Sequence, residues 1–598
     1  MHESKLPQIP LSQRFRTKFF AFASLLFLSG AAFSTSSVAI SQETKQPPAK
    51  PIPLTIPDAQ AGEEDFEEAC RLRLNVDSIE TLKEIIGLAE SALKKGLDAV
   101  DAEAAKKMIA SSYVQKTRES IPALAGGRMN AARKNKMINE FIEDLGQAIK
   151  YDPTLVDAYL FKSELLASRN ELQEAFEVAD AGIEKLLPNV KRFDAESKAK
   201  LSKLLMMRAG MRKTTEDVIA DLKLSVQANP NNLASMTILK NNLVQEKKVE
   251  EAIDFFRSVL ESSPENEILI CYTAELMATD PKRITLALEL LTDKIRILPK
   301  STALLKTRAK VHSENQNAAL AKADMDLALS LTESDVDGLL MRAKILMQSE
   351  DQTEDLEQAR KDVDAAIEID ANRADAVLLR SMIATKQLRF GDAINDIQTI
   401  IKALPKDANT DPGLLMQLGV LYSQDNRPTQ AIKVFDQVIK ADQEMWEAYR
   451  LRGDTRLSIG DHSNAILDFE KALKYIPKDD QDRSGILNNL SWVLSTTPID
   501  NLRNGKQALE YAEEACKLTN YEKPHILSTL AAAHAELGDF DKAVEWSKKC
   551  VELAKKLAEP QTEQMENELK SYLDKKPWRE KTETKENKAP IGGDGVDT

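Results

Sequence analysis

One pattern limits what this chain can fold into more than any other. A search for a small residue with a large apolar one four positions later, a second small one seven later, or both, picks out an alanine again and again, at a near-constant interval. The hits are Ala252, Ala287, Ala321, Ala359, Ala393, Ala431, Ala465, Ala508 and Ala543, spaced by 35, 34, 38, 34, 38, 34, 43 and 35 residues. The fullest copies are Ala321-Met325-Ala328, Ala359-Val363-Ala366 and Ala465-Phe469-Ala472. Self-similarity at this period marks a short helix pair that cannot bury both its faces alone and does so by stacking. The longer intervals place insertions in turns between helices, where added backbone costs least. At 598 residues the chain exceeds what one core fills, and the repeat selects an elongated array over several globular domains. The scarcity of aromatics, 5% of residues, and the modest 21 Gly and 23 Pro agree with stacked helices.

The clearest copy runs Tyr449, Gly453, Gly460, Ala465, Phe469, Ala472, Pro477. Upstream, Leu415, Leu418, Gly419, Tyr422, Ala431 and Phe435 hold equivalent places, with Pro428 where a second helix starts and a missing N–H does no harm. Position by position this resembles the tetratricopeptide signature. The resemblance implies an all-α fold, a right-handed α-solenoid of stacked antiparallel helix pairs closed by a C-terminal capping helix, about eleven pairs in all. Pro230, Pro264, Pro299 and Pro405 end second helices elsewhere. Small residues such as Gly453 and Ala465 let paired helices approach, and Tyr449 and Phe469 fill the remaining space. Weaker copies include Tyr159, Ser163, Ala175, Ala179, Gly182 and Pro188, then a stretch from Leu204 to Pro230 with Val218 in place of Ala.

These observations divide the chain as follows: 1–39 signal peptide, 40–63 disordered Pro-rich linker, 64–152 divergent helical repeats interrupted near Ala125-Gly126-Gly127, 153–556 repeat array, 557–580 capping helix, 581–598 disordered tail. The first segment has the three parts of an export signal: a basic stretch ending at Lys18, an apolar run from Phe19 to Phe33 and the small-residue site Ser37-Val38-Ala39. The alternative is an uncleaved N-terminal membrane anchor. In the capping helix, Leu569, Tyr572 and Leu573 are expected on the packed side. The stretches around Leu487–Leu494, Gly505–Ala508, Ala515–Thr519 and Leu530–Ala535, with Lys576-Pro577-Trp578-Arg579-Glu580, look like the terminal units and tail of bacterial envelope tetratricopeptide proteins. That resemblance implies a periplasmic or envelope-attached location.

The formal charge of −14 is spread along the chain, and no basic stripe suited to phosphates appears, so no nucleic-acid partner is expected. Cys70, Cys271, Cys516 and Cys550 do not form a disulfide framework. Cys516 and Cys550, 34 residues apart, could bridge neighbouring helices, or all four could be small buried thiols. His2, His312, His462, His525 and His534 include no pair with the four-residue spacing of a helical zinc site, and no phosphate-cradling loop or nucleophile elbow occurs. No catalytic, cofactor or metal site is therefore expected. In the turn Gly460-Asp461-His462-Ser463-Asn464, Asp461 or Ser463 reads as a helix cap.

The work left for such a chain is to hold a protein or peptide. In a tetratricopeptide array the first helix of each pair makes the concave wall, which nominates Arg450 and Asp454, Met416 and Val420, Asn488 and Trp492, and Lys306 and Lys310 as groove residues. Trp and Arg are the types most often found as binding anchors. Relatives that grip an acidic C-terminus use a Lys and two Asn. Here Asn489 fits one place, but Asp454 stands where an Asn is wanted, so that mode is not expected. The reading is a non-catalytic scaffold. An envelope or secretion-system assembly factor working with membrane-associated complexes is the first alternative, and a repeat-linked enzyme such as a glycosyl transferase the second.

Overall fold

The computed structural model describes residues 60–125, 130–349, 352–405 and 410–580. The export signal, most of the linker, Gly126-Gly127 and the tail from residue 581 lie outside the described residues. Those described form 27 α-helices and three short 3-10 segments, with no strand among them. Two compact units divide the chain, residues 1–311 and 312–598.

The first unit contains six helix pairs, from Gln60–Arg73 with Ile79–Lys95 to Glu267–Ala278 with Ile284–Ile297, followed by helix Thr302–Glu314 at its end. In the second, helix Ala318–Leu331 precedes six pairs, from Val336–Leu346 with Gln352–Ile369 to Pro524–Glu536 with Phe540–Leu557, and a single helix Thr562–Leu573 closes it. Each unit is a stretch of α-solenoid. Consecutive helices pack on one another from Gln60–Arg73 to Ile284–Ile297 in the first unit and from Ala318–Leu331 to Thr562–Leu573 in the second, and some first helices of neighbouring pairs also touch, as Arg483–Thr496 does Pro524–Glu536. Six pairs per unit exceed the expected eleven, because residues 60–151 supply two pairs of long helices without the small-residue signature. The first of these begins at Gln60, inside the expected linker.

All nine marker alanines are fully buried, which is why the repeat tolerates nothing larger there. The helices meet through fitted pairs. A Cβ at Gly419 would stand 2.4 Å from the Phe435 ring, and one at Gly453 would stand 2.9 Å from that of Phe469. Each phenylalanine is itself fully buried. First helices end in a left-handed residue that turns the chain into the second helix, at Asn170, Lys247, Gln316, Leu388, Asn426, Gly460 and Gly538. Asp461 caps the next helix by accepting the Asn464 N–H, and Asp539 accepts that of Lys542.

A second network was not anticipated from the sequence. On three first helices of the second unit an arginine reaches an aspartate of its own second helix and another of the preceding one. Arg380 forks onto Asp396 and also holds Asp364 at 2.9 Å, while Arg342 holds Asp362 at 2.7 Å and Asp326 at 2.8 Å. Arg452 pairs with Asp468 and Asp436 in the same way. Asp362, Asp396 and Asp468 are buried, so each charge is removed from water only because its arginine comes with it.

The four cysteines are free. Cys516 and Cys550 are buried and their thiols donate to different carbonyls, of Ile526 at 3.9 Å and Pro524 at 3.1 Å. Burial pushes both thiols up to about 12. The capping segment differs from its expected outline. Leu557 still belongs to the preceding helix, and the cap spans Thr562–Leu573 only. Its packed face is Met565, Glu568 and Tyr572, with Leu573 exposed. Lys575, at φ 57°, turns the chain out of the helix. Pro577 then keeps residue 576 from helical geometry, and the rest of the segment runs back without further helix.

Candidate protein-interaction face

In the second unit three successive first helices, Pro412–Gln424, Trp446–Ser458 and Arg483–Thr496, carry six of the eight nominated residues. Met416 and Val420 are half-buried and pack on the apolar core around Leu418 and Phe435. On the next helix Arg450 lies one turn before Asp454, with Nη1 3.3 Å from Oδ2. Asn489 of the third helix donates to Oδ1 of Asp454 at 2.8 Å, and Asn488 donates to Asn489 at 3.1 Å. The structure thus joins Arg450, Asp454, Asn489 and Asn488 into one polar patch across two repeats. Burial raises the Asp454 carboxyl, against the pull of Arg450.

Two atoms of this patch are unsatisfied: the Nε–H of Arg450 and Oδ1 of Asn488 are buried with no hydrogen-bond partner in the chain. One is a donor and one an acceptor, and both lie beneath the surface of the patch. Buried polar atoms of this kind are costly unless something pairs with them.

Trp492 has different surroundings from those expected of an open groove. It packs on Ala531, Ala532, Ala535 and Tyr572, together with Trp578 of the chain's own C-terminal segment. Its side chain also hydrogen-bonds Glu580. Sequence reading could not find this cover, since it joins residues more than 80 positions apart.

Lys306 and Lys310 lie in the first unit, on Thr302–Glu314. Lys310 and Lys240 bind the two oxygens of Glu275, at 3.1 and 2.6 Å. These three groups are 35 residues apart on successive first helices, so they form a ladder along that face. Lys240 also lies over the Tyr272 ring at 4.0 Å.

Among the described residues no group of three or more His, Cys, Asp or Glu side chains is placed to hold a metal ion. No described helix is long and apolar enough to cross a membrane. His462 is buried beside the cap Asp461, and neither ring nitrogen has a partner.

Stacked helix pairs bearing a polar, partly unsatisfied first-helix face define a helical repeat protein of the interaction type. Tetratricopeptide-repeat family profiles match residues 416–482 and 524–557. The chain carries tetratricopeptide repeats and, at that level of description, is a protein-interaction scaffold. It is 21% identical over 290 residues to human DnaJ homolog subfamily C member 3, covering 45% of this chain and 58% of that one. The rat protein of the same name is 22% identical over 266 residues, 41% of this chain and 53% of that one. The chain thus spans little more than half the length of these curated relatives. Similar solved structures include a tetratricopeptide repeat protein from Parabacteroides merdae, with 18% identity, 44% and 98% coverage and a TM-score of 0.32. Yeast Tom70 shows 17% identity, 78% and 96% coverage and a TM-score of 0.33.

Proposed function

We propose that the chain is a non-catalytic scaffold that binds an extended peptide segment of a partner protein along the first-helix face of its second unit. The observation that carries this reading is the patch of Arg450, Asp454, Asn488 and Asn489 across two successive first helices, in which the Arg450 and Asp454 side chains remain about a third exposed to a partner. Half-buried Met416 and Val420 beside it offer apolar contact, and charged and apolar groups side by side give orientation as well as affinity. The N-terminal basic, apolar and small-residue segments favour export to a periplasm or cell envelope, in the company of membrane-associated complexes.

Cross-linking of tagged protein in its native cells, followed by identification of the attached partner, tests the reading. Changing Arg450 and Asn488 together to alanine should weaken that attachment by about tenfold or more while the helical circular dichroism stays unchanged. Undiminished attachment would place the binding face elsewhere. N-terminal sequencing of the protein from the same cells should start after Ala39 if the signal is removed.

A further inference from the structure

The chain already holds one extended segment against its first helices. After the capping helix, residues 576–580 do not continue outward over the end of the stack but run back across the two preceding pairs. The Glu580 N–H donates to the Thr496 carbonyl at 2.9 Å, and Arg579 donates to that of Ser495 at 3.1 Å. Both acceptors belong to the last turn of Arg483–Thr496, where a helix leaves its carbonyls unpaired. Trp578, like Trp492, packs against the cluster that holds the small residues Ala531, Ala532 and Ala535. Arg579 reaches Glu536 at 2.6 Å.

We propose that this face, made by Trp492, Ser495, Thr496, Ala532 and Glu536, is a peptide site filled in cis by the chain's own Trp578-Arg579-Glu580. An extended partner segment with an aromatic residue followed by a basic one displaces it. The inference rests on the peptide-binding reading above and specifies a second subsite for it.

Three features separate this arrangement from a plain structural cap. The closing helix covers the end of the stack by itself at Met565, which packs in the core with Cys550, Val551 and Ala554, away from Trp578. Release of the segment strands no buried charge, because Glu536 keeps Arg503, whose Nε is 3.0 Å from Oε1. Docking is also imperfect: Oε2 of Glu580 is buried without a partner, and burial raises that carboxyl. A ligand with the Trp-Arg pair but without that acid gives up the Trp492 hydrogen bond and, with it, the burial of an unpartnered oxygen.

The test uses the full chain carrying Trp578→Ala and Arg579→Ala, with a fluorescent peptide Lys-Lys-Pro-Trp-Arg-Glu corresponding to residues 575–580 as the probe, read by anisotropy. A tethered segment competes at an effective concentration in the millimolar range, so the emptied variant should bind the probe about tenfold or more tighter than the unaltered chain. A probe with alanine in place of its arginine should bind the variant more weakly. Equal binding by both chains, or none by a folded variant, overturns the inference. In that event continued partner capture that depends on Arg450 and Asn488 leaves the broader reading standing, whereas loss of that dependence removes both. Should the double variant fold poorly, hydrogen exchange on the unaltered chain decides. The Glu580 amide should exchange about tenfold or more faster than amides inside Arg483–Thr496, and equal protection would make the segment part of the core.

Discussion

Gly419 and Phe435 show how little room a single repeat leaves. A methyl group added at 419 would overlap the buried ring at 2.4 Å, so Gly419→Ala should cost about 1–3 kcal/mol in chemical denaturation, despite the better helix propensity of alanine. Glu164 makes a different residue-scale prediction. Burial raises its carboxyl to about 7, with Lys203 opposing the shift. The unfolded chain releases this proton near 4.5, so between those values the folded form binds more protons and stability falls as pH rises. Glu164→Gln should flatten that fall, and pH-dependent thermal melts would show it. No flattening would mean that the glutamate is better solvated than its surroundings imply. At this scale the sequence was informative where one side chain has one steric task, as with the nine alanines. It was less informative for Trp492, which the sequence left open between groove and core and whose neighbours include a segment far along the chain.

The element that the periodic reading overlooked is the Arg–Asp clamp. Charges read one at a time suggest a solvated surface. Taken together, Asp364, Arg380 and Asp396 recur as Asp436, Arg452 and Asp468, each triplet spaced by 16 residues. Each clamp ties a first helix to its own partner helix and to the one before. Arg380→Ala leaves Asp396 buried and uncompensated and should cost about 3–5 kcal/mol by urea unfolding, whereas Asp364→Ala, at a more exposed carboxylate, should cost about 1 kcal/mol or less. Equal effects would show that the buried bond carries no special weight. The cap was legible as an element but not in extent. Its amphipathic spacing predicted a helix, while the left-handed Lys575 and the return of residues 576–580 depend on what lies beneath them.

For the whole molecule, the repeat interval alone established an all-helical stack, since any other fold would leave buried small residues at that period without a purpose. The number of pairs was less accessible, because residues 60–151 fold as long helices that lack the marker alanines. The first-helix face that carries the proposed patch was legible from the geometry of stacked repeats, but the unsatisfied atoms there emerge only once two repeats are set side by side. The clamp's even spacing also bears on how such a chain changes over generations. Excising residues 343–380 would bring Asp396 to 16 places after Arg342, with Asp326 still 16 before it. Every clamp arginine that remains would find its two carboxylates again, so loss or duplication of a whole period leaves the clamp intact. Array length is thereby free to drift while the joints between units stay the same.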